Sequence, residues 1–179
     1  MSTRPPIYGL LAEFDNAQSL VTATRQAHEK GYRHMDAFSP FPVEGLAEAL
    51  GFHKTRMPLL VLICAILGGL GGYFMQYYTA VISYPINVGG RPFHSWPMFI
   101  PITFEMTILG GALGAVLGML ALNGLPMPYH PVFNVPRFAL ASRDRFFLCI
   151  EATDPRFEIE ATRSFLTSLQ PSEVAEVAH

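Results

Sequence analysis

This sequence predicts an α+β membrane protein, and three observations lead there. Between Arg56 and Arg137 only two full charges occur, Arg91 and Glu105; the same stretch holds two apolar runs, about Met57 to Val81 and about Met98 to Leu122; and each flank reads as strand, helix, strand. At about 1.5 Å rise per residue, either run crosses a hydrocarbon core roughly 30 Å thick. The predicted organisation is therefore a two-helix hairpin inserted into a split domain: residues 1–56, the first span 57–81, a loop 82–97, the second span 98–122, and residues 123–179. A 50% hydrophobic content with 15% charged residues averages an apolar middle with ordinary flanks.

In the first flank, Ile7 to Phe14 suits a strand. Asp15 with Gln18 three residues on matches a capping box, opening a helix with Leu20, Val21, Thr24, Ala27 and His28 on one face, and Gly31 stops it. Tyr32 to Phe38 reads as a second strand, Ser39-Pro-Phe-Pro as a turn, and Val43 to Leu50 as a short helix closed by Gly51. In the second flank, Phe146 to Ala152 is strand-like. Asp154-Pro155 supplies a cap and a first-turn proline, Phe157, Ala161, Phe165 and Leu169 follow at helical spacing, and Glu173 to Ala178 closes as a strand. Together the flanks give the βαββαβ order of a ferredoxin-like domain.

The basic residues set an orientation. Lys54 and Arg56 precede the first span, Arg137, Arg143 and Arg145 follow the second, and the connecting loop holds only Arg91. Both termini are thus expected in the cytoplasm, with Tyr84 and Trp96 of the Pro- and Gly-rich loop at the headgroup level of the far side. The N-terminus lacks a basic segment followed by an apolar one, so no cleavable signal peptide is expected. Net charge is −2 and the basic residues form no stripe, so nucleic acid is not an implied partner.

Catalytic patterns are sparse. Cys64 and Cys149 have no CxxC neighbour and read as small hydrophobes. His28 and His34 flank a helix-to-strand turn, His53 lies near the membrane, and His94 and His130 fall in loops, whereas haem-ligating histidines belong inside the helices. His94 shares its loop with Arg91 and Trp96. No catalytic, cofactor or metal residue is assigned in this chain.

Glycines carry a clearer message. Gly68 and Gly72 in the first span, and Gly110, Gly114 and Gly118 in the second, lie four apart and give smooth faces, either for partner helices or for packing of the hairpin on itself. Glu105 is the one acid within the spans, about seven residues in, or roughly 10 Å below the far surface. It reads as a hydrogen-bonded acid tying its helix to a neighbour, with a proton-relay or quinone-edge group as the sharper alternative.

Three blocks bear a resemblance: Phe38-Ser-Pro-Phe-Pro-Val-Glu-Gly-Leu, Pro97-Met-Phe-Ile-Pro-Ile-Thr-Phe-Glu-Met-Thr-Ile-Leu, and Leu125-Pro-Met-Pro-Tyr-His-Pro-Val-Phe. They resemble the ActD-type small membrane subunit of bacterial alternative complex III, over nearly the whole chain. The resemblance implies a quinol-oxidising complex of the bacterial inner membrane that passes electrons to a cytochrome c or a terminal oxidase. It also implies other subunits and lipid as partners, with haem c and iron–sulfur clusters in those subunits, and a non-catalytic accessory role here. Glu105 carries over only as a family-like position. A stand-alone membrane scaffold or lipid-binding module is the alternative reading, and a metal-handling module a weaker one for want of an exposed Cys or His pair.

Overall fold

The computed structural model describes residues 7–52 and 54–179. They form two compact units: one joins the residues up to Phe52 with Pro128–His179, and the other is Lys54–Met127.

The first unit is α+β, built on a four-stranded antiparallel sheet. Its elements are β1 (Gly9–Phe14), α1 (Ala17–Lys30), β2 (Met35–Phe38), a single-turn α2 (Leu46–Ala49), β3 (Phe146–Glu151), α5 (Ile159–Ser168) and β4 (Glu173–Val177), in the strand order β2-β3-β1-β4. One row of the register runs Asp36, Cys149, Leu11, Ala175 across all four strands. Alternation then divides the side chains between two faces. Leu10, Ala12, Phe14, Phe146, Leu148 and Ile150 pack under α1 and α5 against Leu20, Val21, Phe165 and Leu166.

The opposite face holds a second core. Leu11, Phe147, Cys149 and Val177 are covered by Val132 and Phe138, from 3₁₀ turns at Pro131–Asn134 and Pro136–Ser142. Each turn starts at a proline, whose fixed φ and missing N–H suit that position. With both faces covered, all six residues of β1 are buried. Each large apolar side chain so buried contributes about 1.5–3 kcal/mol. Sequence periodicity had assigned no element here, because 3₁₀ turns are too short to repeat a pattern.

Both expected caps move. The N-cap of α1 is Asn16, whose extended backbone lets Oδ1 accept from the Ser19 N–H at 2.8 Å. Asp15 instead pairs with Arg145 and accepts from the Ser172 hydroxyl. Ala23 joins the buried face of α1, where His28 is only half-buried. The last helix begins later than Asp154-Pro155 predicts, with Glu158 at its N-cap, and its buried face is Thr162, Phe165 and Leu166, leaving Ala161 exposed. The Asp154 carboxylate accepts from the Arg33, His34 and Arg156 N–H groups at 2.6, 2.8 and 2.8 Å. It ties the α1–β2 turn to the β3–α5 turn. β2 is shorter than Tyr32 to Phe38, because Tyr32 turns inward to stack on Phe165.

The second unit is a helical hairpin. α3 (Met57–Tyr77) runs on through a π turn at Tyr78–Ser83, and α4 is Trp96–Leu122. Each helical stretch has 27 residues, about 40 Å at 1.5 Å each, and most of its Leu, Ile and Phe side chains are exposed.

Candidate functional site

Within the hairpin the five singled-out glycines all face the neighbouring helix. A Cβ on Gly110 would stand 2.5 Å from the Cys64 carbonyl oxygen and 3.1 Å from the Gly68 Cα; one on Gly68 would strike the Met106 carbonyl. Gly114 faces the Cys64 side chain, Gly118 the end of Leu60, and Gly72 the Met106 side chain. The backbones therefore touch where Gly68 meets Gly110, as small residues in facing helices allow. Beside this contact runs a shallow apolar groove of about 520 Å³ past Cys64, Leu67 and Leu113.

Toward the loop end the contact turns polar. The Gln76 side-chain amide donates to the Gly72 and Phe99 carbonyls and the Thr103 hydroxyl at 3.1–3.3 Å, and Thr107 donates to the Thr103 carbonyl. The two bonds from Gln76 to Phe99 and Thr103 cross from α3 to α4, and such bonds between apolar helices fix their rotation and depth. His94 bonds through Nε2 to the Tyr73 hydroxyl at 2.7 Å and contacts the Tyr73, Tyr77 and Phe99 rings. Among the described residues its contacts thus run to Tyr73, Tyr77 and Phe99, not to Arg91 or Trp96.

Glu105 is placed otherwise. It sits on the side of α4 away from these contacts, exposed, and among the described residues nothing hydrogen-bonds or ion-pairs with it. The hairpin thus brings the glycines together and leaves its one acid outward.

The sheet unit holds a titratable cluster that the sequence reading missed. The Tyr8 hydroxyl donates to Glu151 Oε1 at 3.1 Å and lies 3.3 Å from His130 Nε2, while Thr153 donates to Glu151 Oε2 at 2.7 Å. Burial, then the like charge of Glu151, raises the Asp36 carboxyl above its ordinary value, against a smaller opposite pull from His130. The Cys149 thiol and the Tyr8 phenol are pushed up as well, chiefly by burial. Next to the cluster an open groove of about 560 Å³ is lined by Phe38, His130, Phe133 and Phe138. The available signal was Asp36 set between the apolar Met35 and Ala37 within the predicted strand.

The other histidines are distributed. His34 bonds Thr153, His130 Nδ1 accepts from the Val132 N–H at the start of a 3₁₀ turn, and the buried His28 Nδ1 has no hydrogen-bond partner among the described residues. His53 lies outside the described residues. Cys64 and Cys149 are free thiols, and among the described residues no group of three His, Cys, Asp or Glu side chains could hold a metal ion.

Residues 8–176 match the model of the family described as Alternative complex III, ActD subunit. No curated protein matches the chain.

Proposed function

This chain belongs to the ActD family, a subunit of alternative complex III, and we propose that it serves there as a non-catalytic accessory subunit that supports assembly of the larger membrane and redox subunits. Its partners include the other subunits of that complex. The single observation that carries the proposal is the extent of the family match, which takes in both flanks and the hairpin together.

On this reading the two long helices cross the bacterial inner membrane as a hairpin, with both termini cytoplasmic. Their length, their exposed apolar side chains and the basic residues Lys54, Arg56, Arg143 and Arg145 on the flanks support it. The strand order β2-β3-β1-β4, with α1 and α5 as crossovers, supports a ferredoxin-like domain with the hairpin inserted between β2 and β3. We place quinol oxidation, haem c and the iron–sulfur clusters in partner subunits. What this chain contributes is a rigid hairpin whose backbones meet at Gly68 and Gly110 and whose outer surfaces are free for neighbours.

Isolation of the affinity-tagged chain in mild detergent tests the reading. Co-migration with haem-containing subunits and quinol-oxidising turnover is expected, and lowering the supply of this chain should reduce assembled complex without changing turnover per haem. Recovery as a lone homo-oligomer would instead support a scaffold, and a fall in turnover per haem would remove the accessory role.

A further inference from the structure

The side of α4 away from α3 carries Met98, Glu105, Ala112 and Met119, all exposed and seven residues apart, with Pro101 and Ile108 between them. Residues so spaced form one continuous seam on a helix, along which a second helix can pack. One group on this seam, the Glu105 carboxylate, has no hydrogen-bond partner among the described residues. Acyl chains cannot supply one, and a bare carboxylate at this depth is costly.

We propose that this seam is the docking face for a transmembrane helix of another subunit of the complex, one that brings an uncharged hydroxyl hydrogen-bond donor to the level of Glu105. The proposal rests on the subunit reading above, which supplies the partners, and it names the face and the chemistry. A second copy of this chain in the same orientation would set Glu105 against Glu105, so the complement is a different chain carrying a donor. One polar group in an otherwise apolar seam also fixes register, since a partner shifted by a turn leaves both groups unpaired.

The test uses the intact complex in native membranes. With p-benzoylphenylalanine in place of Ile108, ultraviolet light should join this chain to another subunit. Glu105→Gln should recover the complex at near wild-type yield and turnover, whereas Glu105→Leu should lower recovery several-fold. The Glu105 pair decides the matter even where the bulky probe hinders assembly. Whole complex with only lipid adducts from position 108, or wild-type recovery with Glu105→Leu, would overturn the docking face while leaving the subunit reading intact. Full assembly with lost turnover in Glu105→Gln would overturn it in favour of a proton or quinone role. Failure of the tagged wild-type chain to recover haem subunits would remove both readings at once.

Discussion

The guanidinium of Arg137 forks the carboxylate of Glu13, Nε to Oε2 at 2.7 Å and Nη2 to Oε1 at 2.6 Å. Glu13 is 2% exposed and points to the face of β1 that the 3₁₀ turns cover; Arg145 approaches the same oxygen at 3.6 Å, and Arg137 also reaches Glu173. One planar cation thus joins β1, β4 and the segment that follows the hairpin. Its bonds with Glu13 raise the Arg137 pKa further, so the guanidinium stays charged throughout the physiological range.

Arg137→Met should therefore destabilise the sheet unit by removing both hydrogen bonds to a buried carboxylate, which keeps only the Arg145 ion pair at 3.6 Å. The unfolding midpoint of the full chain in detergent should fall by roughly 5 °C or more. Adding Glu13→Gln in that background should restore part of the loss, because the buried group is then neutral. Equal midpoints for wild type and Arg137→Met would show that the fork adds nothing.

The glycines should differ in cost according to what a methyl group meets. Gly110→Ala and Gly68→Ala drive a Cβ into a backbone carbonyl, which cannot swing away, and should cost about 1–3 kcal/mol of hairpin stability in a detergent titration. Gly118→Ala meets only the mobile end of Leu60 and should cost less, and Gly71→Ala, with open space around it, should be nearly silent. Gly114→Leu should also reduce recovery of the complex. The same cost at all of these positions would contradict the packing.

Asp154 gives a pH dependence. Burial works to raise its pKa, but the N–H bonds from Arg33, His34 and Arg156 outweigh it, and the carboxyl is held below the ordinary value. A depressed pKa contributes stability that is present above the unfolded value, about 3.9, and is lost as pH falls through the lower folded value. Asp154→Ala should cost about 1–3 kcal/mol near pH 7. Its gap from wild type should narrow below about pH 4. A gap that widens on acidification would reverse the assignment.

Topology can be read with one added thiol, since the native Cys149 is buried and Cys64 lies inside α3. Val88, exposed in the loop between the long helices, is replaced by cysteine, and a membrane-impermeant thiol reagent is applied to spheroplasts. Val88→Cys should label from outside, and Gln170→Cys only in inverted vesicles. The opposite pattern would place both termini outside.

Much of this protein was legible in the order of its residues. The two apolar helices follow from composition and length, the strands and α1 from apolar periodicity, Gly31 as a helix stop from its place just after the helical pattern, and the close-packing glycines from their spacing of four. These are local properties, carried by neighbours within a turn or two. Tertiary structure decided which of several candidate groups was used. Asp15 matches a cap as well as Asn16 does, and an arginine 130 positions along the chain takes its carboxylate instead. Asp154 resembles a helix cap until the α1–β2 turn offers it two N–H groups. The second core has no period to read, because its lid is two short 3₁₀ turns held by Val132, Phe138 and the Arg137 fork. Glycine spacing alone leaves open whether a smooth face meets its own hairpin or a stranger. Packing gave that face to Gly68 and Gly110 and left Glu105 on the other side, because the one helix cannot turn both toward the same neighbour.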